Sequence, residues 1–179
     1  MKTAFYIQNT TIARNGEKLV NIVNWFKTKK EAIDFLEDVY KKNNSFIGLK
    51  LIEKANDIVS FLIVNQAIQT YWITETNVPD TFDFKSKKIY YINRTSFVIY
   101  DRIGKNCCNA MNDCIYMSNK IEDTQKEFDR IVDEIKTNKM VWYDGEIPKY
   151  NIVNNTKNSI SYTTHDSYYE CFSLNECEN

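Results

Sequence analysis

The sequence predicts an α+β protein, with antiparallel sheet carrying two amphipathic helices, and three observations lead there. Residues 4–13 and 17–26 are rich in β-branched and aromatic side chains and flank Arg14-Asn15-Gly16-Glu17. Asn-Gly suits a tight type I′ hairpin turn, whose two central residues both need positive φ. The stretch TKKEAIDFLEDVYKK follows, with Thr28 and Glu31 at the spacing of a capping box. Beyond it, from 46 to 76, apolar residues recur at strand spacing between turn-forming pairs.

Each element has its own local reason. In the first helix Ala32, Phe35, Leu36, Val39 and Tyr40 form one apolar stripe opposite Asp34, Glu37, Asp38 and Lys41. Strands are predicted at 46–54, 57–65 and 67–75, with Asn56-Asp57 and Asn65-Gln66 at the turns. Pro79-Asp80 interrupts the pattern, because proline lacks the N–H that a ladder uses. A boundary is therefore expected within 77–87, separating halves at 1–78 and 88–175; one continuous domain is the alternative.

The second half repeats the order. A hairpin is predicted at 88–93 and 96–102, then the cysteine-rich segment GKNCCNAMNDCIYM at 104–117. A helix over 120–137 follows, capped by Asn119 or Thr124, with Ile121, Phe128, Ile131, Val132 and Ile135 as its stripe. Three short strands close the chain. TKKEAIDFLEDV from Thr28 and TQKEFDRIVDEI from Thr124 align without gaps, as two diverged hairpin-helix-strands halves would; capped amphipathic helices also resemble one another for purely local reasons.

Composition narrows the function classes. Four widely separated glycines, Gly16, Gly48, Gly104 and Gly145, permit neither a Walker loop nor a G-x-G-x-x-G turn, so no nucleotide cofactor is expected. His165 is the sole histidine, which excludes sites needing two within one chain. It leaves open a Cys-His pair with Cys107 or Cys171, against the plainer reading of a polar turn residue. Cys108 and Cys114 share a C-x5-C spacing with Cys171 and Cys177, wider than zinc knuckles favour. Cys107, Ala110, Met111, Cys114, Ile115 and Met117 are read as core, and no metal is expected.

A net charge of −1 lacks the basic footprint of a nucleic-acid binder. One stretch keeps that option alive: Lys85, Lys87, Lys88 and Arg94 interleave with Tyr90, Tyr91, Phe97 and Tyr100 on the predicted hairpin, where aromatics can stack on unpaired bases. No apolar run is long enough to cross a bilayer, and the first residues lack a signal-peptide core, so a soluble cytoplasmic protein is expected. The bias toward Ile, Asn, Lys, Tyr and Phe, whose codons are AT-rich, fits a low-GC bacterium, a phage or a mobile element. The leading expectation is a non-enzymatic protein-interaction module, an accessory or inhibitor factor acting by stoichiometric contact. Trp72, Trp142, Tyr143 and Tyr168 are its candidate anchors. The alternatives are a single-strand nucleic-acid binder using the 85–100 hairpin and a Cys-His enzyme using His165.

Overall fold

A computed structural model describes residues 1–15, 18–63, 67–98, 111–137, 150–164 and 168–178. The chain divides into two compact units between Lys85 and Ser86. The predicted class needs correction. Strands make up 58% of the described residues, two helices accompany them there, and the sheet is mixed, so α+β with antiparallel sheet does not describe it. Alternation within a segment reports which residues share a face, whereas strand direction is set by pairing between distant segments.

In unit 1, β1 (Lys2–Ala13) and β2 (Lys18–Phe26) form a hairpin, α1 spans Lys29–Asn44, and β3 (Leu49–Lys54), β4 (Ile58–Ile63) and β5 (Ala67–Val78) follow. The strands lie in the order β2-β1-β5-β4-β3, each ladder antiparallel. The capping box is present: Thr28 Oγ1 accepts from the Glu31 N–H at 3.2 Å, and Glu31 Oε2 accepts from the Thr28 N–H at 2.9 Å. Gly48, at φ 99°, adopts the left-handed backbone that returns the chain from α1 into β3. Ala32 and Leu36 bury on Ile7, Val59 and Phe61, with Phe35, Tyr40 and Tyr71 packed around them.

Unit 2 contains β6 (Lys88–Val98), β7 (Met111–Ser118), α2 (Ile121–Lys136), β8 (Asn151–Asn155), β9 (Ser159–Thr164) and β10 (Tyr168–Glu178). Its order is β7-β6-β10-β9-β8, with these four ladders antiparallel as well. Both units therefore share one connectivity, and the agreement reaches single residues. The hairpin register shifts between Ile7 and Gln8 in one unit and between Ile92 and Asn93 in the other. The edge pair shifts between Leu51 and Glu53, and between Ile152 and Asn154. The Ile73 N–H donates to Asp57 O and the Leu174 N–H to Asn158 O, each at 2.9 Å. Ile92, Phe128, Ile160, Tyr162 and Phe172 occupy in the second core the places of Ile7, Leu36, Val59, Phe61 and Tyr71 in the first.

Two local expectations change. The hairpin predicted at 88–93 and 96–102 is one continuous strand, β6, whose partner comes from the cysteine segment: Tyr91 pairs with Met117 and Arg94 with Asp113. Asn93-Arg94-Thr95 looks like a turn in isolation but is held in the ladder by Asp113 and by Asn112, which accepts from Thr95 Oγ1 at 2.7 Å. The helix alignment is out by one turn, about 3.6 residues. α2 begins after Lys120, which has no side-chain cap bond, so Lys120 matches Thr28. Thr124 matches Ala32, fully buried, its hydroxyl directed at Lys120 O and Tyr90 O. A shift of a full turn keeps the same face, so periodicity alone cannot detect it.

Replacing Thr28 by Ala should lower stability by about 1 kcal/mol, whereas Lys120→Ala, at the matching cap, should leave the urea midpoint within error. Equal losses at both positions would contradict the assignment of the caps.

Candidate binding surfaces

Three features of the two units stand apart from simple core packing, and comparing matched positions shows what each adds. The first is an ionic cluster on the helix-covered face of the unit 2 sheet. Arg94 Nη2 donates to Asp113 Oδ2 at 2.9 Å, and Arg94 Nε lies 3.7 Å from Glu170 Oε1 without a hydrogen-bond partner of its own. Tyr162 donates its O–H to Glu170 Oε2, and Tyr168 donates to Oε1 at 3.2 Å. The Glu170 side chain is 8% exposed, those of Arg94 and Asp113 about a third. Burial, reinforced by the charge of Glu170 and the bond to it, raises the Tyr162 phenol above its ordinary range. Burial of Arg94 opposes its charge, but the bond to Asp113 and the nearby Glu170 outweigh it, and its pKa rises.

Chemically this cluster is closed. The carboxylate of Glu170 is occupied by two phenols, the phenol beside it is held protonated, and the guanidinium is shared between two acids. It ties β6, β7, β9 and β10 together and presents no activated nucleophile. The matched positions in unit 1 are Asn9, Asn21, Gln69, Phe61 and Ala67, all uncharged, so the fold itself does not need the ions.

The second feature is an apolar row at one end of the unit 1 sheet face opposite α1, a face on which Gln8, Thr10 and Ser60 are buried. Ile12 pairs with Ile68, and Ile68 pairs with Leu62 on its other side. The three are 42%, 41% and 37% exposed. Two residues along, Trp72, 36% exposed, pairs with Ile58 and Gln8. Between the rows Ser60 and Thr70 share a hydroxyl–hydroxyl bond of 3.0 Å. The sequence flagged Trp72 but missed its three neighbours, because only register aligns them. At the matched places unit 2 carries Tyr169, Thr163, Ser173 and Ser159 for Ile68, Leu62, Trp72 and Ile58, and Phe97 for Ile12.

The third feature is a groove beside α2. About 830 Å³ of space lies between the helix and the β8–β9 turn, floored by Ile121, Phe128 and Val132 and rimmed by charged and amide side chains. The corresponding hollow beside α1 is only about 200 Å³. There Lys54 Nζ meets Glu37 Oε2 at 2.8 Å and sits 3.8 Å from the centre of the Tyr40 ring. The pair is more than a third exposed on both sides, so it adds well under about 1 kcal/mol; its effect is to fill space. Unit 2 places Asn155, Asp129 and Val132 where this latch has Lys54, Glu37 and Tyr40, and Asp129 accepts instead from Gln125 at 2.9 Å.

The remaining sequence candidates scatter. Lys85 and Lys87 are exposed and make no ion pair with a described residue. Lys88 is held by Glu176 and Glu178 at 3.0 and 3.1 Å and lies 5.4 Å from the Tyr90 ring centre. Arg94 and Tyr168 belong to the ionic cluster, so they do not line up with the lysines as a phosphate track. Cys114 is buried beside Tyr116 and Met117, as a core reading expects. Cys171 and Cys177 are half-buried, and burial together with Glu178 raises the Cys177 thiol. No three His, Cys, Asp or Glu among the described residues gather as metal ligands would. Trp142, Tyr143, His165, Cys107, Cys108 and Tyr100 lie outside the described residues, as does the Phe97 side chain.

Arg94→Met leaves Glu170 buried without its cation and should cost about 3 kcal/mol or more in urea unfolding. The triple variant Arg94→Asn, Asp113→Asn, Glu170→Gln copies unit 1 and should recover most of that loss; if it is no more stable than the single variant, the network is not what the arginine serves. Tyr162 and Tyr91, the latter raised by burial to about 12, hold their protons more tightly folded than unfolded. Their contribution is therefore complete below the ordinary phenol value of 10.0 and is lost as pH rises through the folded values. Denaturant midpoints should fall from about pH 10 upward, less steeply in Tyr162→Phe.

No protein-family model matches the chain, and no curated protein or solved structure matches it.

Proposed function

We propose that the protein is a non-enzymatic interaction module, contacting another protein stoichiometrically through the outer face of unit 1. The observation that supports this is the row Ile12-Ile68-Leu62 with Trp72 beside it. An antiparallel sheet ordinarily places polar residues where a face meets water, and unit 2 carries Tyr169 and Thr163 at the positions of Ile68 and Leu62, with Phe97 at that of Ile12. Unit 1 instead exposes three aliphatic side chains on adjacent strands, a contiguous patch of the kind that marks contact surfaces. Covering them would return about 1 kcal/mol or more each. Trp72 offers the rigid aromatic anchor that dominates such interfaces. No helix among the described residues is long and apolar enough to cross a membrane. A cytoplasmic setting, and an accessory or inhibitory role for a phage or mobile element, complete the reading.

The test compares native-lysate captures by the wild-type chain and by an Ile68→Glu, Leu62→Glu variant, both exposed sites, with a nucleic-acid stain on each eluate. A protein retained in near one-to-one ratio by the wild type should disappear with the variant. An identical set of co-purifying proteins for both baits, or retained material that is nucleic acid, would sink the proposal.

A further inference from the structure

The repeat supplies an internal control that points to a second contact surface, independent of the first. In unit 1 the hollow beside the helix is shut by Lys54, Glu37 and Tyr40, and the edge strand β3 carries Lys50, Glu53 and Lys54. In unit 2 the latch is gone, and the three charged edge positions are Asn151, Asn154 and Asn155. Charged side chains on an edge strand deter the approach of a second sheet. β8 has lost them, while the apolar Ile152 and Val153 stay exposed at 45% and 61%, as Leu51 and Ile52 are on β3. An open groove and an uncharged edge thus lie side by side, where the sister unit has a closed groove and a charged edge.

From this contrast we infer that the α2 groove and β8 edge of unit 2 receive the same surface of a second copy of this chain, related by a two-fold axis. The charges along the groove favour that occupant. Glu122 lies at one end of α2 and Lys136 at the other, both exposed and both on the groove rim. They are about 21 Å apart at 1.5 Å per residue. Two antiparallel copies of α2 bring Glu122 of each beside Lys136 of the other, the reciprocal pairing that an isologous interface requires. Near the axis the two Asp129 carboxylates, each already accepting from Gln125, are flanked by Lys126 of both copies. The two β8 edges meet with no like charges opposed. Ile121, Val132 and Ile152 lose their contact with water. A patch this small falls near the lower end of stable interfaces, about 1,200 Å² in total, so association is expected in the micromolar range.

Sedimentation equilibrium of the full chain tests this, with the weight-average mass expected to climb from 21.2 kDa toward twice that value as concentration rises. Glu122→Lys and Lys136→Glu should each weaken association by about tenfold or more, and the two together should restore it, because the pair is re-formed with its signs exchanged. Val132→Tyr with Asn155→Lys rebuilds the unit 1 latch and should hold the chain monomeric without lowering its urea midpoint. Lys54→Asn, in the other unit, should leave the dimer unchanged. A monomer at every concentration, an association indifferent to both charge reversals, or one that the double reversal fails to restore would each overturn the inference. Ile68→Glu leaves this equilibrium untouched, so the two surfaces are separable.

Discussion

Each unit rests on one helix burying its stripe across a five-stranded sheet. Leu36 and Phe128 hold the same place on the two sheets, over Ile7 with Phe61 and over Ile92 with Tyr162. A fully buried side chain of this size contributes about 1.5–3 kcal/mol, and its contacts join the hairpin to the three strands that follow the helix. The bulge in each hairpin belongs to the same device. It adds one residue, Val23 or Ile115, and both pack against the core beneath the helix. Local strengthening of twist at such a bulge lets the sheet wrap the helix.

With that frame held constant, the positions outside the stripe differ between the units. Unit 1 has amides where unit 2 has Arg94, Asp113 and Glu170, and it has Ile68, Leu62 and Trp72 where unit 2 has the hydroxyl-bearing Tyr169, Thr163 and Ser173. Unit 2 drops the salt bridge that closes the helix groove. Charge burial is costly and often no better for stability than apolar packing, so the ionic cluster speaks for the specificity of strand pairing in unit 2. The exposed row and the open groove cost little stability where they are, since each sits at the edge of a core that is complete without it.

Much of this was written locally. The capping box at Thr28 and Glu31, the stripe of α1 and the turn at Asn56-Asp57 depend on neighbours within a few residues, and the structure has each of them. The strand hidden in the cysteine segment was not legible, because Cys114, Tyr116 and Met117 become a strand only when β6 pairs with them. The ionic cluster was equally invisible: Arg94, Asp113 and Glu170 are separated in the chain, and nothing in the alternation of any one strand announces that they share a face.

The sequence by itself determined where helices and strands can form, which side of each is apolar, and that glycine-dependent phosphate loops are absent. Those are short-range properties, set by side-chain period, capping and turn chemistry. Only the tertiary structure decided the mixed sheet, the one-turn offset between the two helices, and the alignment of Ile12, Ile68 and Leu62 across three strands. Register and strand direction are relations between distant segments, and a slip of one residue or one turn leaves local patterns unaltered while changing what meets what.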